Sequence, residues 1–167
     1  MGNAVAARQV VLAAMEAAGL MDQHESHLFG DVDLDFNVYV ADRLPFAAHR
    51  FGMAAITLCG AVYLCRSSLE FEATELLVLL RHEAEHVRQQ RARPRSFYLR
   101  YVWDWLIDFV GNLVQRRSGP ADRHPGWYRA YRNITAEREA RTTESELRCR
   151  LADLAVRAGE QIVLSDR

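Results

Sequence analysis

At 167 residues, 50% hydrophobic and 26% charged, the chain is long enough for one domain with a sizeable core, and its composition excludes disorder. A net charge of −1 conceals an uneven spread without lysine: ten arginines lie between Arg88 and Arg132 against Asp104, Asp108 and Asp122, while Asp31, Asp33, Asp35, Glu70, Glu72 and Glu75 make the upstream part acidic. The odd cysteines Cys59, Cys65 and Cys149 form no tight pair motif, which argues against a disulfide framework and fits a reducing compartment.

The first twenty residues make a poor signal peptide, because Arg8 is their one basic residue and Glu16 interrupts the apolar run. Residue 6 is alanine where a myristoylation motif has Ser or Thr. The longest uncharged run, residues 51 to 65, is too short to span a bilayer. The expectation is a soluble, cytoplasmic protein, with export by a specialised secretion system as the alternative.

Residues 4 to 18 carry helical spacing through Val5, Val10, Val11, Ala14, Met15 and Ala18, stopped by Gly19. Residues 21 to 31 read as loop. Leu34, Phe36, Val38 and Val40 then alternate with polar positions, the pattern of a half-buried strand. Residues 54 to 65 place β-branched and aromatic side chains around Gly60, which predicts one or two strands with a turn or bulge there. A helix follows over 72 to 92, halted ahead of Pro94, with Arg88 and Arg91 in its last turns where cations suit the helix dipole. Residues 96 to 117 form a second helix, 121 to 133 a loop or short helix, and Thr135 opens a final helix to about Gly159. The order is helix, strands, then helices: an α+β domain over residues 1–167, with a small antiparallel sheet packed on a helical bundle.

Nine aromatic residues lie among the ten arginines of the 88–132 stretch. Nucleic acid or an anionic membrane surface could bind such a segment. A solvated face with its aromatics turned inward is favoured over both, and packing beside the preceding helix accounts for the Trp, Phe and Leu of residues 101 to 115.

That preceding helix reads "LLVLLRHEAEHVRQQRA", and it raises the question of why leucines should flank His82, Glu83 and His86. Burying an unpaired polar group costs several kcal/mol, so either this face is exposed or something pairs with it. The histidines are four apart, so they share a helix face and can bind one Zn²⁺ through ring nitrogens. Glu83 is turned about a quarter of the way round, poorly placed to ligate beside them but able to act on water as general base. This is the H-E-x-x-H arrangement of zinc peptidases. Leu76, Leu77, Leu79 and Leu80 mark a core helix, Arg81 and Glu85 should face elsewhere, and an edge strand just before the helix could hold a peptide by β-augmentation.

A catalytic zinc needs a third protein ligand. Gln89 and Ala92 stand where the extended three-histidine motif has Gly and His, which excludes that class. The candidates lie in "YRNITAEREAR", where Glu137 and Glu139 fall on opposite margins of the stripe Ala136, Ala140, Leu147, Leu151 and Leu154. Periodicity leaves Glu137 only slightly nearer. Tyr128 and Tyr131 precede this helix and could donate to a tetrahedral oxyanion, though an aromatic packed in the core is the favoured reading for each. His124 could bind substrate or metal, with a solvent-exposed loop histidine the favoured reading, and His24, His27 and His49 have no convincing partner spacing and read as surface or locally bonded residues.

"RHEAEHVRQQ" followed some fifty residues later by "YRNITAEREA" resembles gluzincin-type zinc metallopeptidases, most of all the small bacterial peptidase-like domains associated with contractile injection systems. The resemblance covers roughly residues 35 to 145. It implies a zincin-like fold, Zn²⁺ held by His82, His86 and Glu137, catalysis by Glu83 with Tyr131, and a protein or peptide substrate. Glu139 and then Glu144 are the next candidates for third ligand. Relatives of the CAAX-processing type carry E-x-x-A-D at the ligand glutamate; here Glu137 and Ala140 are followed by Arg141, which leaves one histidine without its expected outer partner. The leading expectation is therefore a zinc-dependent endopeptidase. The alternative is a gluzincin-like binding or accessory module, and nucleic-acid binding comes third.

Overall fold

The computed structural model describes residues 4–45, 48, 52–115 and 126–158, with side chains left aside for 112–115, 126–128 and 158. The chain runs β1 (Ala4–Ala6), α1 (Ala7–Ala17), α2 (Glu25–Phe29), β2 (Asn37–Ala41), β3 (Ala55–Leu58), β4 (Ala61–Cys65), a 3₁₀ turn (Arg66–Glu70), α3 (Ala73–Ala92), α4 (Phe97–Gln115), α5 (Gly126–Asn133) and α6 (Thr135–Ala158). It is an α+β arrangement.

The four strands lie in the order β1-β2-β4-β3. The sheet is mixed, not antiparallel as expected: β1 pairs antiparallel with β2 and β3 with β4, but β2 and β4 run parallel, with Val38 opposite Val62 and Val40 opposite Leu64. The β3–β4 hairpin is the local unit, turning through Cys59 (φ 50°) and Gly60 (φ 75°), the two left-handed positions that a tight hairpin needs. The connection from β2 brings β4 rather than β3 against β2, and β3 is left as an edge.

Two further departures are local. Residues 4–6 carry apolar side chains that fit a helix or a strand, and Ala6 ends a strand because backbone partners exist across β2; Ala7 N then donates to Phe36 O at 2.9 Å. Residues 21 to 31, expected as loop, contain α2. His24 caps it by accepting from Ser26 N at 3.3 Å, and Gly30 ends it. Imidazole is an uncommon cap, so the usual Ser, Thr, Asp or Asn signal is missing.

One face of the sheet presents Val38, Val62 and Leu64 to Val11 and Met15 of α1 and Leu77, Leu80 and Ala84 of α3, and Leu147 and Leu151 of α6 close the same core. Twelve of the twenty residues of α3 are buried, among them Arg81, Glu83, Glu85, His86, Gln89 and Gln90. A helix enclosed on nearly every side cannot leave those groups to water, so each must find a partner within the protein. Arg81 and Glu85 do so away from the histidines, at 3.5 Å, with Arg88 bonded to Glu85 as well. Arg148 of α6 grips Glu75 through its two terminal guanidinium nitrogens, at 2.5 and 2.8 Å, which ties the start of α3 to α6.

The expectation that packing absorbs the apolar residues of α4 does not hold. Leu99 is 75% exposed, Val102 60% and Trp103 62%, and Leu106, Ile107 and Val110 are exposed too. Phe97, Tyr101 and Trp105 line a cleft on the other side of the helix, so α4 is apolar on two sides and only one faces the rest of the fold. No helix among the described residues is long and apolar enough to cross a membrane.

Candidate metal centre

α3 and α6 pack along each other, and their contact brings His82, His86 and Glu137 together. One ligand atom from each lies within 4.8 Å of the others. His86 Nε2 is 3.3 Å from Glu137 Oε1, and His82 Nε2 is 3.6 Å from Glu137 Oε2. Glu137 is 1% exposed because Ile134 and Ala140, a turn to either side, are buried with it. Glu139 sits on the exposed side and accepts from Gln89 Nε2 at 3.0 Å.

Both imidazoles have an outer partner. His86 Nδ1 is 3.0 Å from Gln89 Oε1; a glutamine oxygen accepts, so Nδ1 carries a proton and Nε2 is the ring nitrogen turned toward Glu137. His82 Nδ1 lies 3.3 Å from Glu144 Oε2, close enough for a strong charge contact though not aligned as a hydrogen bond. Glu144, expected only as a third-choice ligand, thus stands two helical turns beyond Glu137 and supplies the carboxylate that Arg141 cannot. Arg141 itself approaches Glu137 Oε2 at 4.0 Å.

Charge and burial oppose each other here. Burial would raise the Glu137 carboxyl, but hydrogen bonding and charge from His82 and His86 hold it well below the usual carboxylate range. Burial would lower His82, yet Glu137, Glu144 and Glu83 push it up to about 10; His86 is raised for similar reasons, chiefly against its burial by Glu137. Without a metal, Glu137 is held as a carboxylate against two imidazoles whose protonated forms it favours.

Two tyrosines complete the surroundings. Tyr101 of α4 donates to Glu137 Oε1 at 2.7 Å. Burial first, and then the nearby Glu137 charge, raise both Tyr101 and Tyr131 far above the ordinary phenol, so both stay protonated donors. Tyr101 was not singled out in the sequence, since in a helix this aromatic nothing marks one tyrosine from the rest. Tyr131 lines the same cleft as Glu83 and His86. The Tyr128 side chain, His49 and His124 lie outside the described residues.

Glu83 is 5% exposed and turned from the His82–His86 face toward the sheet. Thr57 Oγ1, on the edge strand β3, donates to its Oε2 at 2.6 Å and to its main-chain oxygen at 3.2 Å. Beyond it opens a cleft of about 400 Å³, with Glu83, His86, Glu137 and Tyr131 in its lining.

The residues present fit a divalent cation. Two imidazoles and a carboxylate are a donor set suited to zinc with a position left open for chemistry. Glu137 Oε2 is buried with no hydrogen-bond partner, a costly state that a cation between these groups would relieve. No family model, curated protein or solved structure matches the chain.

Proposed function

We propose that the protein is a zinc-dependent peptidase of zincin-like fold, with His82, His86 and Glu137 as metal ligands. The observation that carries this reading is the convergence of those three side chains beside a cleft that His86 and Glu137 line together with Glu83 and Tyr131. A zinc ion held there supplies a Lewis acid that acidifies water and polarises a peptide carbonyl. Glu83, its carboxylate oriented by Thr57, accepts the proton from the attacking water and passes it to the departing amine as the C–N bond breaks. Tyr131 donates to the carbonyl oxygen as it becomes anionic. Tyr101 keeps Glu137 in place from α4. Gln89 fixes the tautomer of His86, and Glu144 steadies His82.

A gluzincin-like accessory module that keeps the ligands but does not cut is the second reading, favoured by Arg141 in place of an aspartate and by the exposed apolar side of α4. Hydrolysis of a disordered protein such as casein separates the two. The peptidase reading expects cleavage that stops with a chelator, returns with zinc, and falls by about 100-fold or more in Glu83→Gln while zinc is still bound. Cleavage that survives in Glu83→Gln removes Glu83 as the base, and no cleavage by zinc-loaded parent favours the accessory module.

A further inference from the structure

The cleft over the site has walls that the chemistry above leaves unused. Met53, Ile56 and Leu58 come from β3 and the approach to it, and Phe97, Val102 and Trp105 come from α4. Its volume of about 400 Å³ lies within the range in which organic ligands are held. Glu83, His86 and Glu137 bring charge to the lining and Gln90, Tyr98 and Tyr131 polar tips, while most of the surface it exposes is apolar.

The edge strand points the same way. A peptide laid along β3 could add main-chain hydrogen bonds there. The turn end of β3 is already engaged within the protein: Gln90 Nε2 donates to Thr57 O at 3.2 Å, Gly60 N donates to Gln90 Oε1 at 2.8 Å, and Cys59 N donates to Tyr98 Oη at 2.6 Å. With those groups taken, discrimination among peptides falls on side-chain burial. The same clasp holds β3 against α3 and α4 and so fixes the width of the cleft.

Resting on the peptidase reading, we propose that this cleft is the recognition pocket for one bulky apolar side chain, aromatic or branched aliphatic, of a peptide substrate, with α4 as its specificity wall. Removing such a side chain from water favours it over alanine by about 10- to 100-fold. An aspartate is rejected twice, by the apolar walls and by the carboxylates of Glu83 and Glu137 in the lining.

The test uses the zinc-loaded full chain and blocked peptides identical but for one residue, Phe, Leu, Ala or Asp. Cleavage is read as kcat/KM, and binding to zinc-loaded Glu83→Gln is read by anisotropy of the same peptides carrying a dye. Phe and Leu should exceed Ala by about 10- to 100-fold in both readouts, with Asp weakest. Val102→Asp, at a position exposed enough for the fold to accept it, should erase most of the preference without loss of zinc. Cleavage with a flat profile overturns the pocket and leaves the peptidase standing. Apolar-selective binding with no cleavage by the parent supports the pocket and removes the peptidase. Flat or absent binding to Glu83→Gln overturns the pocket, as does a preference that Val102→Asp leaves intact.

Discussion

Replacing Glu137 with glutamine removes the carboxylate that approaches both imidazoles while keeping the shape of the side chain. Tyr101 can still donate to the amide oxygen, so the change in packing is small. Glu137 is 1% exposed, and solvent does not screen its contacts at 3.3 and 3.6 Å. Removing one partner of a buried charged pair costs about 3–5 kcal/mol; the low end applies to the metal-free protein because Glu144 still faces His82. Loss of a ligand's outer partner weakens metal binding by about 10- to 100-fold, and loss of the ligand itself should exceed that, so a drop of at least about 100-fold in zinc affinity is expected. Glu139→Gln is the control. Its carboxylate is exposed and bonded to Gln89, so stability should stay within about 0.5 kcal/mol and zinc affinity near the parent's. Competition against a chromophoric chelator gives the affinities, and denaturant unfolding in the presence of EDTA gives the metal-free stabilities. If Glu139→Gln releases zinc and Glu137→Gln holds it, the ligand assignment is wrong.

Glu144→Gln should weaken zinc binding by about 10- to 100-fold without abolishing it, since Glu144 acts through His82; unchanged affinity in the same competition would remove it from the site. Stability of the chelated protein should depend on pH in a defined window. His82, raised in the fold from 6.5 to about 10, contributes stability that is complete below pH 6.5 and lost as pH rises toward 10. Glu137, held below its ordinary 4.5, contributes stability that is complete above pH 4.5 and lost as pH falls through its folded value. These two groups together favour pH 4.5 to 6.5, and zinc, which must displace imidazole protons, should bind tighter from pH 7 to 9. Denaturant midpoints higher at pH 9 than at pH 6 in EDTA would contradict this charge arrangement.

How much of the site could be read from the chain differs residue by residue. His82, Glu83 and His86 are legible because four residues make roughly one helical turn, and a spacing that short survives any tertiary arrangement. Glu137 and Glu139 straddle the apolar stripe of α6, and periodicity barely separates them; the burial of Ile134 and Ala140 against α3 does. Glu144 is legible as well, being seven residues beyond Glu137 on the same helix face, two turns on and so on the side that meets His82. Tyr101 and Thr57 were not, because each reaches the site from an element whose position depends on long-range packing. The strand pattern is local and legible, while the parallel pairing of β2 with β4 joins residues more than twenty apart and leaves no local signal. The exposed side of α4 escapes a periodic reading because apolar residues occupy two sides of that helix.

The central claim is that His82, His86 and Glu137 hold a metal. Elemental analysis of the full chain, purified without chelator, passed through excess zinc and freed of unbound ion, tests it most directly. The account predicts about one zinc per chain in the parent and far less in His82→Ala and His86→Ala. A parent with no stoichiometric metal would contradict it and leave the three side chains as a buried ion pair network that serves the fold alone.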